Sequence, residues 1–333
     1  METAKARIFK TVKWQALNWV VSAFFLAFSA GTAVEAGNQF DRSGVGTTAG
    51  QFLKLAAGAR GAALGEAYSA LTDDASSLYW NPAGITKVKA NSLVVMHSAY
   101  LADTFFDYIA YSQSQGETGS WGLSVQYMNH GTLAGTDDYG SSLGDFSPSD
   151  LAITLGFACD ISGYRKEPEE RFVLGATGKL VRSKIINADN TLAADIGLLF
   201  PYLFDNKFQM SITAQNLMGT LKLDQESYPL PLLIRLGSRT KISKYWDVMA
   251  DLTAPKDNYP WLAIGTEFRI DLGGSLRAAL RGGFNTRAIS DLEGTRNISM
   301  GMGLGTPSFS VDYAFTPFGV LGNAHRISMG FSF

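Results

Sequence analysis

The feature that most constrains this chain is an alternation of apolar and polar residues that runs through most of its length. In the segment 307–316, Phe309 and Val311 alternate with Ser310 and Asp312. Successive side chains of a β-strand point to opposite faces of the sheet, so a period of two predicts strands with one apolar and one polar face. Most of the chain is therefore predicted to be β-sheet.

About fourteen segments carry this alternation, and most approach the about 9 to 11 residues that a tilted strand needs to cross a membrane. They are 91–99, 105–113, 119–129, 149–160, 170–183, 191–203, 207–217, 231–241, 245–253, 261–270, 275–284, 296–304, 307–316 and 323–333. Single-chain bacterial barrels have an even number of strands, so this number fits a closed barrel.

Alternation alone fits two architectures, a soluble sandwich with an apolar core and a membrane barrel with an apolar outer face. Charged residues make up 17% of the chain, below the about 25% of a typical soluble domain. An export signal, the strand lengths and the terminal Phe333 also favour the membrane barrel. We therefore predict an all-β membrane protein, an antiparallel outer-membrane β-barrel of about 14 strands.

The lengths of the connections support the barrel independently. Long connections rich in Gly, Asp, Asn and Pro alternate with short ones, as expected if the long ones face the outside of the cell. The long connections are 130–148, 218–230, 254–260 and 285–295, and the short ones are 204–206, 242–244, 271–274 and 305–306. The connections 115–120 and 163–170 are exceptions, since they are longer than an inner turn should be.

The first residues resemble a secretory signal. Four basic residues lie within positions 5–13, the run 14–34 carries no charge, and Val34 and Ala36 place small or medium residues before a cleavage site. We predict a signal peptide at 1–36, cut after Ala36; an uncleaved anchor is the alternative, since the run is nearly long enough to span a membrane. The mature chain would be exported to the bacterial outer membrane.

The stretch 51–85 does not alternate. Phe52, Leu55 and Ala59 recur at helical spacing, Asp73 or Asp74 can cap a further short turn, and Pro82 ends it. We predict a short N-terminal helical hatch at 49–88, which follows a linker at 37–48 and precedes the barrel at 89–333.

No catalytic constellation accompanies this architecture. The three histidines, at positions 97, 130 and 325, lack metal-ligand spacing, and the acids at 137 and 138 are expected to serve a loop rather than a calcium ion. No hydrolase motif is present. We expect a non-enzymatic protein without a cofactor, and a net charge of -2 gives no sign of a nucleic-acid partner.

The remaining candidate residues are polar groups of the hatch and of the inward face of the later strands. Charges inside a membrane barrel must pair with one another or meet water. We predict that these groups fix the hatch inside the barrel, and a ligand path is the alternative. They are Arg60, Glu66, Asp73, Asp74, Asn81, Pro82, Arg269, Arg281, Asp312 and Arg326.

Two stretches resemble the PorV/PorQ family of outer-membrane proteins. They are AGQFLKLAAGARGAALGEAYSALTDDASSLYWNPAGI at 49–85 and VDYAFTPFGVLGNAHRISMGFSF at 311–333. Shorter similarities at 214–219 and 230–238 extend the resemblance over nearly the whole mature chain.

The resemblance implies a fourteen-stranded barrel like that of the FadL fatty-acid transporters, with an N-terminal hatch and an N-P-A element, here Asn81, Pro82 and Ala83. It further implies a role in type IX secretion, in which the barrel binds the translocon or secreted cargo with a C-terminal sorting domain. The alternative is a FadL-like transporter of hydrophobic small molecules. In either case we expect a monomeric barrel surrounded by outer-membrane lipid.

Overall fold

The computed structural model describes residues 40–162, 167–287 and 297–333. Within these residues, fourteen antiparallel strands form a closed barrel in which the last strand pairs with the first. The prediction of an antiparallel barrel of about fourteen strands is confirmed. The predicted signal peptide at 1–36 lies outside the described residues and stays a prediction.

The wall is made of strands that follow one another in chain order. They are β1 (Asn91–Ala99), β2 (Phe105–Ser114), β3 (Ser120–Asn129), β6 (Ser149–Asp160), β7 (Val173–Lys184), β8 (Ala188–Leu199), β9 (Phe208–Gln215), β12 (Leu233–Lys241), β13 (Trp246–Pro255), β14 (Trp261–Gly273), β15 (Leu276–Asn285), β16 (Ile298–Gly305), β17 (Phe309–Pro317) and β18 (Asn323–Ser332). Two separate hairpins are β4 (Leu133–Thr136) with β5 (Ser142–Phe146) and β10 (Thr220–Leu223) with β11 (Glu226–Pro229).

Two strands end two or more residues earlier than predicted. The predicted strand 191–203 ends at Leu199, and the residues after it include Pro201, which has no backbone donor, and a left-handed run from Phe204 to Asn206. The predicted strand 207–217 ends at Gln215, because Asn216 is left-handed with φ 58°. Backbone geometry incompatible with a ladder thus ends both strands early.

The two ends of the barrel differ. We call the end that carries the connections 130–148, 216–232 and 256–260 the loop end, and the opposite end, where β1 begins, the turn end. Both separate hairpins lie in loop-end connections. At the turn end, β14 and β15 are joined by only two residues, and β16 and β17 by three.

Side chains alternate across the wall as the sequence indicates. On β18 the inward-facing Ala324, Arg326 and Ser328 are buried, whereas the outward-facing Ile327 and Met329 are 48% and 46% exposed. An apolar outer face around a polar interior is the arrangement of a membrane barrel. No helix among the described residues is long and apolar enough to cross a membrane.

Residues 49–88, which we call the luminal segment, lie inside the barrel. All of them are described, and only Gln51 and Asp73 are exposed. The segment bonds to separated parts of the wall: the Ala59 amide donates to the Ser328 hydroxyl at 2.7 Å on β18, and the Ser69 hydroxyl lies 3.0 Å from that of Ser211 on β9. The barrel therefore closes around this segment.

The luminal segment is less helical than its spacing suggests. It contains a 3-10 helix, Gln51–Lys54, two α-helices, α1 (Ala59–Ala63) and α2 (Ser77–Trp80), and a second 3-10 helix, Pro82–Lys87. Positive φ angles at Gly58 and at Gly65 interrupt any longer helix. The segment consists of single turns that fit the shape of the lumen.

Residues 40–49, which lead into the luminal segment, are bonded to loop-end connections of the wall. The Phe40 amide donates to the carbonyl of Lys256 at 2.9 Å, and the Ala49 amide donates to that of Pro229 at 3.0 Å, so the chain enters at the loop end. It reaches the turn end before β1 starts. The luminal segment thus extends through the barrel from one end to the other.

Glycines on the inner wall allow the segment to touch the strands. A Cβ atom at Gly283 would collide with the backbone of Gly65, and one at Gly197 would collide with the side chain of Asn81. Six more wall glycines face the segment in the same way: Gly122, Gly156, Gly175, Gly237, Gly265 and Gly301. Because a larger residue would displace the segment, the high glycine content of the chain serves this interface.

Candidate functional site

The luminal segment is tied to the wall by an ion-pair network centred on Glu267, which is 1% exposed. Arg60 bonds both of its carboxylate oxygens, with Nε to Oε2 at 2.8 Å and Nη2 to Oε1 at 2.9 Å. Arg60 also reaches Asp73 at 2.6 Å within the segment. Arg281 and Arg269 approach Glu267 from the wall at 2.8 and 2.9 Å.

The network extends along the wall in both directions. Arg281 bonds Asp312 at 2.6 Å, and Arg269 bonds Asp247 at 2.6 Å, which in turn pairs with Arg239 at 3.1 Å. Together the network contains four arginines and four carboxylates, so its formal charges balance. Buried charges are tolerated when they are paired in this way.

Asn81 and Pro82, the core of the N-P-A element, lie against β7 and β8. The amide of Asn81 donates to the carbonyl of Ser69 at 3.1 Å, and its side-chain oxygen accepts from the Ala83 amide at 3.1 Å. Asn81 has an extended backbone, and Pro82 opens the following 3-10 helix. This geometry ends α2 and turns the chain toward the wall glycines Gly175 and Gly197.

Two further acids of the luminal segment, Asp74 and Glu66, have partners outside the network around Glu267. Asp74 accepts a bond from the Ser76 amide at 2.8 Å, which orders the turn before α2. Glu66 has φ 75°, and its carboxylate lies 3.6 Å from Nη1 of Arg287. The carbonyl of Glu66 also accepts from Arg235 at 3.3 Å.

A clasp that sequence reasoning missed holds the start of the segment at the loop end. Asp257, in the connection between β13 and β14, accepts bonds from Lys54 at 2.6 Å, from Gln51 at 3.0 Å and from the hydroxyl of Thr48. Burial opposes the charged form, but these bonds hold the pKa of Asp257 below its usual value. In the sequence, Asp257 is an acidic residue in a predicted loop, and nothing there distinguishes it from a solvent-exposed acid.

The wall is interrupted between β8 and β9. Their ladder contains four pairs, from Ile196↔Ala214 to Leu199↔Ser211, so the eight loop-end residues of β8, from Ala188 to Asp195, have no ladder partner on β9. We call this interruption the seam. The chain after β9 covers it: the amides of Leu217, Thr220 and Lys222 bond to the Ala194 carbonyl, the Thr191 hydroxyl and the Asp189 carboxylate.

A buried cluster stabilises the corner of the seam. Lys179 pairs with Asp195 at 2.8 Å, and both side chains are almost fully buried. Asp195 also accepts from the Asn216 amide at 2.8 Å, at the left-handed residue where β9 ends. These residues were not predicted, although charges at inward positions of the strands 170–183 and 191–203 were a usable signal.

Apolar side chains lie behind the seam. Leu221 of β10 and Leu230 are 0% and 3% exposed, and both belong to the same buried cluster as Phe52 and Leu53 of the luminal segment. At the loop end of the seam, a groove of about 640 Å³ separates the β7–β8 turn from the β10–β11 hairpin. It is lined by Ile185, Ile186, Asn187, Ala188, Asp189, Lys222, Leu223, Asp224 and Tyr228.

Two further cavities flank α1. One of about 280 Å³ lies toward the loop end and includes Leu55, Glu66 and Arg326 in its lining. The other, of about 80 Å³, lies toward the turn end and includes Arg60, Asp74 and Asp312. Arg326, the last of the predicted residues, faces inward on β18, donates to Thr316 at 3.0 Å and makes no ion pair with any described residue.

The histidines do not converge. His97 bonds Asp107 at 2.7 Å, His130 bonds Asp150 at 2.8 Å, and His325 bonds the hydroxyl of Tyr313 at 2.8 Å. Among the described residues no group of three or more His, Cys, Asp or Glu side chains could hold a metal ion. The Asp137 carboxylate accepts two loop amides, from Tyr139 at 2.9 Å and from Ser141 at 2.7 Å.

Fold and site together define a closed outer-membrane-type β-barrel whose lumen is filled by an N-terminal segment. The model of an uncharacterised protein family, UPF0164, matches residues 26–169. No curated protein matches the chain in sequence.

Solved structures show the same fold. The CymD monoaromatic hydrocarbon channel has a TM-score of 0.54 at 12% identity, covering 83% of this chain and 97% of that one. A Pseudomonas aeruginosa FadL homologue has a TM-score of 0.52 at 10% identity, with 83% and 98% covered. The P. putida toluene transporter TodX has a TM-score of 0.50 at 10% identity, with 78% and 94% covered.

Proposed function

We propose that this chain is a non-enzymatic outer-membrane channel for a hydrophobic small molecule, with the luminal segment as a movable obstruction. The seam is the observation that carries the proposal. A wall in lipid needs all of its backbone groups bonded. Here eight of the twelve residues of β8 lack a ladder partner on β9, and an apolar cluster lies directly behind them.

The orientation follows from the connections. Outer-membrane barrels carry long loops outside the cell and short turns in the periplasm, which places the loop end at the cell surface. The groove beside Ile186 and Tyr228 would then admit a solute from outside. From the groove the solute would reach Leu221 and Leu230, where it would meet the luminal segment and could pass to the seam only when that segment moves.

The shared fold supports the same proposal, because CymD is a monoaromatic hydrocarbon channel and TodX is a toluene transporter. The ion-pair network around Glu267 restricts the route that an apolar solute can take. Those charges are paired and lie toward the turn end, so they do not line the groove or the seam. An apolar solute can therefore use the apolar side of the barrel without meeting them.

A disulfide across the seam tests the channel. The Thr220 amide lies 3.2 Å from the Thr191 hydroxyl, so Thr191→Cys with Thr220→Cys, in a Cys159→Ser background, should close the seam on oxidation. Ser114→Cys with Ser120→Cys, a paired position within the intact wall, is the matched control. Uptake of labelled toluene by a Gram-negative host should fall on oxidation of the seam pair alone. Equal uptake by both oxidised variants would contradict a route through the seam.

A second candidate is the docking of secreted cargo or of a type IX translocon, which the resemblance to PorV/PorQ implies. The β4–β5 hairpin favours it, because Tyr139 and Leu143 are 95% and 73% exposed at the loop end. Docking is expected to use the long connections 130–148, 218–230 and 285–295. The first two are described, whereas most of 285–295 lies outside the described residues. Tyr139→Ser with Leu143→Ser should reduce co-purification of sorted cargo from native membranes, and unchanged recovery would count against docking there.

A further inference from the structure

We propose that the loop-end cavity of about 280 Å³ binds a small organic carboxylate, with Arg326 as its anchor. The inference goes beyond the proposed channel, because this cavity lies away from the groove and the seam and would take a ligand with an acidic group. Its geometry stands separately. The cavity is bounded by the luminal segment on one side and by β15 to β18 and their loop-end connections on the other.

Arg326 is a buried cation with bonding capacity left over. It is 3% exposed, its Nη1 donates to the Thr316 hydroxyl at 3.0 Å, and its Nε has no acceptor within the part of the chain that the structure describes. Its other neighbour is the ring of Tyr100, 5.9 Å from the guanidinium carbon. Among the described residues no carboxylate lies within ion-pair distance of it. A buried charge is unfavourable unless it is paired, so this position favours an incoming anion.

The charges that line the cavity leave room for one negative group. Lys54 is held by Asp257 at 2.6 Å, and Arg287 lies 3.6 Å from Glu66. Those two cations therefore pair with carboxylates, whereas Arg326 pairs with no carboxylate of the described residues. A monoanion would balance the cavity, whereas a dianion would leave a negative charge in excess. A guanidinium can bind a carboxylate through two parallel N–H···O bonds. In Arg326 these bonds would come from Nε and from a neighbouring guanidinium nitrogen.

The rest of the cavity suits an apolar body of about one ring. Leu55, Ala56 and Ala62 supply aliphatic surface, and the rings of Tyr100 and Phe318 meet edge to face at 5.7 Å. A buried apolar cavity of about 150 Å³ is enough to hold benzene. A cavity of about 280 Å³ therefore accommodates one ring together with a carboxylate.

The test is calorimetric titration of the full, detergent-solubilised chain with sodium benzoate, with benzyl alcohol and with inorganic phosphate. The proposal predicts that benzoate binds at least about tenfold more tightly than benzyl alcohol, since bonds to a charged group exceed neutral ones. Equal binding of the two ring compounds would overturn it. Tighter binding of phosphate than of benzoate would also overturn it, because that result assigns the cavity to an inorganic anion.

Variants locate the site. Arg326→Gln should weaken benzoate binding by at least about tenfold, while Arg277→Gln, on an arginine that is exposed at the turn end, should leave it unchanged. If Arg326→Gln does not fold, Arg287→Gln and Thr316→Val are tested in its place. Each of them should weaken benzoate binding severalfold. Wild-type affinity in folded forms of these variants would overturn the proposal. Toluene uptake through the seam is a separate readout, so either result can fail while the other holds.

Discussion

Arg60 in the luminal segment and Glu267 on β14 form a two-point ion pair across 207 positions of sequence. Glu267 also receives Arg269 and Arg281 from the wall. One buried carboxylate therefore joins the segment to three strands, because Arg281 continues to Asp312 on β17.

Replacing Arg60 with Ala should loosen the luminal segment. Removing one partner of a buried pair costs about 3 to 5 kcal/mol, and we expect about 1 to 3 here because Glu267 keeps two arginines. The heat-induced shift in gel mobility measures stability, and uptake of a large antibiotic measures permeability. Arg277→Ala, which breaks an exposed pair with Asp271, should change both by little. Wild-type values for Arg60→Ala would contradict this assignment.

Placing a methyl group on Gly283 should destabilise the barrel. Its Cβ would meet the backbone of Gly65, and overpacking of this kind costs about 1 to 3 kcal/mol. Gly178→Ala is the matched control, since Gly178 faces outward and a Cβ there would meet nothing within 4 Å. The two alanine variants are compared by thermal unfolding. The same unfolding midpoint in both would show that the segment does not press on β15.

The strands could be predicted from sequence because a period of two is a local property. Alternation placed Arg281, Asp312 and Arg326 on the inward face before any partner was known. Alternation could not identify the partners of these side chains. Glu267 and Arg60 are far apart in sequence and meet only because the luminal segment lies inside the barrel.

Other features had a weaker sequence signal or none. The left-handed backbone of Asn216 ends β9 and sets the seam, but asparagine occupies many other conformations. The wall glycines were visible only as a high total, because the residue that each one faces depends on strand register. The clasp at Asp257 joins two connections that no periodic pattern describes.

The clasp at Asp257 should weaken in acid. Its pKa is lowered in the folded protein, so the stabilisation is complete above the usual value of 3.8 and is lost as the pH falls below it. Asp257→Asn should cost about 1.5 to 3 kcal/mol at pH 7. The difference in unfolding midpoint between wild type and Asp257→Asn should shrink below about pH 4. A difference that stays constant from pH 7 to pH 3 would exclude an ionised clasp.

The buried pair at the corner of the seam should behave as a unit. Asp195→Asn leaves Lys179 without its carboxylate and should cost about 3 to 5 kcal/mol. Adding Lys179→Met removes the stranded charge and should restore much of that loss. Unfolding of both single variants and of the double variant measures the coupling. Additive losses would show that the two charges do not interact.

For a solute to pass, the proposed channel requires the luminal segment to move relative to the wall. The hydroxyls of Ser69 and Ser211 lie 3.0 Å apart, so Ser69→Cys with Ser211→Cys, in the Cys159→Ser background, can join the segment to β9 through a disulfide. Uptake of labelled toluene in the oxidised and reduced states is the most direct measurement. The account predicts that oxidation reduces uptake to the level of cells without the protein, and that reduction restores it. Unchanged uptake in the oxidised protein would show that solute passes without movement of the segment.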